Sequence, residues 1–218
     1  MVAFAPLRWS VSYRIIRSIY PPVALFEDIA DPADWDSLIA IEEMANPRIR
    51  DEVGNLGLVP VARRVSGAGS SIIMGCFTHA SPDRPGRFSA GQFGVWYAGE
   101  CAEVAIAETR HHFERFMRAS AEPPSSADFR ELIAAVHGRC ATATPACLEP
   151  DHWGVAQSFG QIVREAGGDG VAYQSVRHPA GQAVALFWPD CIEPPVLQAR
   201  HLRYFWDGSS MTRFDTLS

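Results

Sequence analysis

The sequence predicts one α/β domain of the α+β kind, a mixed β-sheet core flanked by helices. Three observations predict it. Two long segments carry helical periodicity with recognisable ends, and several short β-branched and aromatic runs are bounded by turns. The third is the composition: 218 residues, 47% hydrophobic and 20% charged, suit one well-filled core.

The elements follow in chain order. Asp31-Pro32-Ala33-Asp34 offers an N-cap aspartate, a proline at the first helical position and an acidic first turn. Trp35, Leu38, Ile39 and Glu42 continue at helical spacing until Asn46-Pro47 stops the run. Residues 54–75, punctuated by Gly54, Gly57, Pro60, Gly67 and Gly69, read as a loop, as do residues 81–86. A strand is expected at 95–98 and a helix at about 101–119. Glu122-Pro123-Pro124-Ser125-Ser126 breaks the chain, but apolar content does not change across it, so one domain is expected. Residues 129–136 fit either period and are assigned to strand. A helix at about 151–166 places Val155, Phe159, Ile162 and Val163 inward and ends at Gly167-Gly168. Strands at 171–175 and 183–188 are joined through His178-Pro179-Ala180-Gly181-Gln182.

Composition excludes several functions. A net charge of −6 argues against tracking nucleic-acid phosphates. All 19 basic residues are arginine. Without lysine there is no Schiff base for pyridoxal phosphate and no P-loop. Five scattered cysteines with no Cys-x-x-Cys pair read as reduced thiols. Arg8, Arg14 and Arg17 interrupt the apolar N-terminus, and no run approaches the ~20 residues of a membrane helix. A soluble cytoplasmic protein is expected, with no membrane or nucleic-acid partner.

Three places stand out chemically. On the helix at 101–119, Cys101, Ala105, Glu108, Thr109, His112 and Phe116 share one face. A carboxylate on an inward face must be paired or must border a cavity. Glu108 and His112, four residues apart, can pair with each other, which leaves an internal ion pair and a site both open. No HExxH pattern or further histidine completes a metal set, so no metal is expected. Arg87, in Gly86-Arg87-Phe88-Ser89-Ala90-Gly91, is placed to clamp a phosphate or to pair with a surface acid, and the next strand brings Tyr97. Ser175 ends a strand but lies outside any Gly-x-Ser-x-Gly elbow. Gly67-Ala68-Gly69 is followed by Ile72 where a Rossmann fingerprint needs glycine.

Taken together, these segments resemble the RES-domain family. The matching pieces are Tyr13-Arg14-Ile15, Gly86-Arg87-Phe88-Ser89 through Tyr97, Ala105-Ile106-Ala107-Glu108 with His112, Gly170 to Arg177, and Ala185-Leu186-Phe187. Two departures are visible. The compact family form has Gly-Gly-Arg-Trp-Asn where this chain has Pro85-Gly86-Arg87-Phe88-Ser89. The stretch between Arg14 and Arg87 is also long, which implies a single RES domain over 1–218 with an inserted helical and loop segment around 27–75.

The resemblance implies a fold like the ADP-ribosyltransferases and a toxin of a bacterial toxin–antitoxin pair acting on NAD as substrate. Such proteins break NAD by phosphorolysis or hydrolysis, or transfer its ADP-ribose to a protein; inorganic phosphate, water or a target protein is the acceptor. The implied partner is a Xre-like helix-turn-helix antitoxin. Glu108, Arg87 and Ser175 take the catalytic positions, and Arg14, Arg87, Tyr97, His112 and Ser175 the NAD contacts. A non-catalytic binding module that keeps the fold is the reading from a different class.

Overall fold

The computed structural model describes residues 2–19, 25, 27 and 31–217, and within them seven strands form a mixed sheet in a single domain. The strands are β1 (Ala5–Arg17), β2 (Trp96–Gly99), β3 (Ser125–Thr142), β4 (Gly170–Gln174), β5 (Gln182–Leu186), β6 (Ile192–Trp206) and β7 (Met211–Leu217). The helices are α1 (Trp35–Glu43), α2 (Ile49–Val53), α3 (Ser70–Thr78), α4 (Ala102–Ala119) and α5 (Gly154–Glu165). No helix among the described residues is long and apolar enough to cross a membrane.

The sheet order is β1-β2-β5-β4-β3-β6-β7, and β1 also pairs with β3, so the architecture turns on the long strand β3. Its residues 129–140 pair antiparallel with β1, while its residues 125–136 pair antiparallel with β6. Only at its C-terminal end, Cys140 to Thr142, does it run parallel to β4. Strand β1 meets β2 at Tyr13 opposite Gly99. A four-strand layer (β1, β3, β6, β7) therefore splits from a three-strand layer (β2, β5, β4) between β1 and β2, and α4 crosses that split.

Apolar side chains fill both faces. One cluster gathers Trp35, Ile73, Met74, Phe77, Trp96, Leu132 and Val136 beneath α1 and α3. A second packs α5 on β4 and β5 through Val163, Val171 and Phe187. A third seats α4 on β3 and β6 through Phe113, Met117, Phe129 and Tyr204. The 3-10 turns and helices between β1 and β2 contribute Val53, Leu56 and Val59 to the first cluster, so that stretch is core-forming.

Several expectations hold. Helix α4 and strands β2, β4 and β5 lie where the patterns put them, and β4 and β5 form the antiparallel pair. Helix α5 ends in the expected glycines: Gly167 takes a positive φ of 77°, and the Gly168 N–H donates to the Val163 carbonyl. Residues 129–136 are strand, within a much longer one. All five cysteines are free thiols, and burial pushes Cys140 up to about 12.

Four expectations are corrected. Asp31 does not cap α1: its carboxylate accepts the Ala33 N–H in a preceding turn, and the helix starts at Trp35, beyond Pro32. The stretch 54–75 is not all loop, because α3 begins at Ser70 once Gly69, at φ 85°, has turned the chain. Val155 and Ile162 face out, 56% and 52% exposed, while Ala156, Gly160 and Val163 face in. The cause is contact distance: a Cβ on Gly160 would lie 2.1 Å from the Phe88 carbonyl oxygen, so the helix rolls onto its small residues. On α4, Phe116 is 54% exposed, because the last turn of that face runs beyond the cavity it lines.

Candidate active site

Where β1 and β2 part under α4 there is a cavity of about 240 Å³. Its walls carry Arg14 and Tyr13 from β1, Arg87 from the preceding loop, Tyr97 from β2, Glu108 and His112 from α4, and Tyr173 from β4. Five of the six predicted site residues thus line one space. The sixth, Ser175, is 1% exposed and reaches the group through Glu108.

Glu108 is held by an uncommon arrangement. The Ser175 hydroxyl donates to Glu108 Oε1 at 2.7 Å, and Ser175 Oγ itself accepts the N–H groups of Arg177 at 3.3 Å and His178 at 3.0 Å. With its acceptor positions taken by two backbone donors, the hydroxyl has one place for its proton, the carboxylate. Ser175 is therefore a fixed donor and does not open onto the cavity. The anticipated Glu108–His112 pair does not form: His112 packs edge-on to Trp153, with ring centroids 5.7 Å apart.

The two cavity arginines lack carboxylate partners among the described residues. Arg14 donates through Nη1 to the Tyr97 carbonyl at 3.0 Å and lies 4.8 Å over the Trp96 ring, and its buried Nε has no partner. Arg87, 6% exposed, donates to the carbonyls of Cys147 at 3.1 Å, Glu149 at 2.8 Å and Pro150 at 3.5 Å. Carbonyls satisfy a guanidinium's donors without cancelling its charge. The cavity is therefore cationic around one carboxylate, on a chain whose net charge is −6.

The remaining groups are neutral. Burial raises Tyr97 to about 12, and its phenol oxygen accepts the Phe88 N–H at 3.0 Å. Gly86 makes room for that contact, since a Cβ there would lie 2.6 Å from the Tyr97 hydroxyl. Removal from water, with Arg115, Arg177 and Arg87 nearby, lowers His112 to about 4, although the residue is itself exposed at the surface. Removal from water and the Arg177 charge bring His111 to about 4 as well. Arg177 Nη2 lies 2.9 Å from His111 Nε2, which accepts, and 2.9 Å from the Pro150 carbonyl oxygen.

These contacts introduce residues that sequence reasoning passed over. Trp153 takes the guanidinium of Arg115 at 4.5 Å and that of Arg87 at 5.7 Å, and packs edge-on to His112. The tryptophans read from sequence as core, yet a signal was present: Asp151-His152-Trp153-Gly154 sets a lone indole among polar neighbours. Tyr13 also lines the cavity, pointed to only by its place beside Arg14, and so does Thr109, which the helix face had already grouped with Glu108.

Comparison with known proteins gives a family and two similar chains. The family model described as RES domain matches residues 61–207. The uncharacterized protein y4oC of Sinorhizobium fredii (strain NBRC 101917 / NGR234) is 25% identical over 205 residues, covering 92% of this chain and 84% of the relative. Among solved structures, a chain of the M. tuberculosis MbcT–MbcA toxin–antitoxin complex is similar with a TM-score of 0.47 and 11% identity, over 94% of this chain and 87% of that one.

Proposed function

The chain belongs to the RES-domain family, and from that premise we propose that it is the toxin of a toxin–antitoxin pair and cleaves the nicotinamide–ribose bond of NAD. The observation that carries this reading is the pairing of one oriented carboxylate, Glu108, with two guanidiniums lacking acid partners, Arg14 and Arg87, around a single cavity.

The chemistry asks for such a set. Breaking the bond builds positive charge on the ribose anomeric carbon and ring oxygen, as in glycoside cleavage. Nicotinamide leaves neutral, so no proton donor is needed at that step. Glu108 stabilises the developing cation, and its Oε2, which has no partner among the described residues, accepts a ribose hydroxyl. Arg14 and Arg87 hold the pyrophosphate, with Arg87 fixed in advance by its three carbonyls. Tyr97 and the neutral His112 shape the walls and add no competing charge. On this reading the protein works in the cytoplasm, and a Xre-like antitoxin restrains it by covering the cavity mouth.

The test is incubation of the purified chain with NAD, with and without inorganic phosphate, followed by mass spectrometry. Nicotinamide release with ADP-ribose-1″-phosphate identifies phosphate as the acceptor, and free ADP-ribose identifies water. If NAD stays intact alone yet labels a protein in cell lysate, the reaction is ADP-ribosyl transfer. NAD untouched in every arm overturns the proposal.

A further inference from the structure

Strand β7 ends the sheet order: it pairs with β6 on one side and with no described strand on the other. The start of its outer edge is occupied. The Met211 N–H donates to Glu114 Oε1 at 2.9 Å, and the Met211 carbonyl accepts from Arg110 at 2.7 Å, so α4 covers that position. From Thr212 onward the edge offers unpaired backbone groups, the condition under which a strand recruits another.

The side chains on this edge read the same in both directions. Thr212-Arg213-Phe214-Asp215-Thr216 is symmetric in chemical type about Phe214, with the two charges opposite in sign. We propose that this edge is a self-complementary dimer contact, in which β7 of one copy pairs antiparallel with β7 of a second copy about a two-fold axis through Phe214. In that register Arg213 faces Asp215 on either side of the axis and Phe214 faces Phe214 on it, while Thr212, a bulge residue with no partner in β6, comes near Thr216. Every pair is of a favourable cross-strand kind.

Register selection strengthens the assignment. A two-fold axis normal to the sheet sets opposite each other only residues on the same face. The neighbouring symmetric registers are therefore centred on Arg213 and Asp215, and each sets like charges face to face. Phe214 stands opposite Tyr204 in the sheet and contacts its ring on the α4 side, at 6.0 Å between centroids, while Arg213 and Asp215 lie on the other face. Those two charged side chains are 65% and 51% exposed, and their contact within one chain is long, at 3.7 Å. Phe214 is itself 39% exposed. No residue of the edge lines the cavity. The contact is small, so the dimer is weak and depends on concentration.

Charge reversal tests the proposal in the full chain by sedimentation velocity over a range of concentrations. The wild type shows a monomer–dimer equilibrium. Arg213→Asp alone and Asp215→Arg alone each set like charges opposite and weaken self-association about tenfold or more. An equimolar mixture of the two single variants associates again as a heterodimer, because each then meets its complement, and that recovery also shows both are folded. The double reversal Arg213→Asp/Asp215→Arg restores the homodimer. A wild type that stays monomeric throughout overturns the proposal, as do single variants that associate like the wild type or a mixture that stays monomeric.

Discussion

The Ser175 hydroxyl points its proton at Glu108 Oε1 from 2.7 Å, because the N–H groups of Arg177 and His178 occupy the rest of its oxygen. Serine here sets the carboxylate's orientation. Ser175→Ala is expected to lower kcat for NAD cleavage about 10- to 100-fold, the equivalent of one hydrogen bond to a charged group, with KM nearly unchanged. Ser175→Thr keeps the donor and retains more activity than the alanine variant. A rise in KM with kcat intact would instead make Ser175 a substrate contact.

Glu108→Gln preserves shape and acceptance from Ser175 but removes the charge. We expect cleavage and growth inhibition to fall by about three orders of magnitude, in the range that electrostatic transition-state groups supply, with the thermal midpoint little changed. Undiminished growth inhibition would remove Glu108 from the mechanism.

Arg87 serves fold and site together. Arg87→Ala leaves three loop carbonyls without their donor, so the variant is expected to lose about 2–3 kcal/mol of stability and to bind NAD more weakly. Calorimetric titration with NAD and a denaturant series separate the two effects. Unaltered NAD affinity would place the phosphate clamp elsewhere.

Acid should destabilise the protein through its histidines. His111 and His112 sit near 4 in the folded state against about 6.5 when unfolded, so between those values the unfolded chain binds the extra protons. Stability is fully present above about 6.5 and falls as pH drops toward 4. Urea midpoints at pH 7, 5.5 and 4.5 will show this slope, and His111→Gln with His112→Gln should flatten it.

Gly160→Ala raises helix propensity and would stabilise an ordinary exposed helix. Here the added methyl meets the Phe88 carbonyl, so a loss of about 1–3 kcal/mol is expected, measured by chemical denaturation. A stabilised variant would show that the loop carrying Arg87 and Phe88 gives way easily.

What the sequence disclosed follows from how local each signal is. Helix α4 was legible because its apolar stripe and its single intrusive carboxylate lie within a few turns of one another. Strand β1 was not, since Arg8, Arg14 and Arg17 break its alternation and its partner β3 lies over a hundred residues away. Helix α3 was hidden behind Gly67 and Gly69, which mark a turn, and it carries a third glycine, Gly75, within its own span. The side of α5 that faces inward was decided by one close approach between Gly160 and Phe88, which no periodicity encodes. The candidate site residues could be named, but the bonding of Ser175 could not, because it arises from the turn that follows β4.

Strand β3 gathers β1 from the start of the chain, β4 from its second half and β6 from near its end. Synthesis therefore delivers the parts of the cavity far apart in time. Arg14 emerges early, Glu108 midway, and Ser175 only after most of the chain has left the ribosome. An unfinished copy holds an arginine and a carboxylate with no serine to orient the latter and no second half of the sheet to bring them together. If the chain is the toxin proposed above, that delay keeps partial products inert and leaves the time of translation for a restraining partner to arrive.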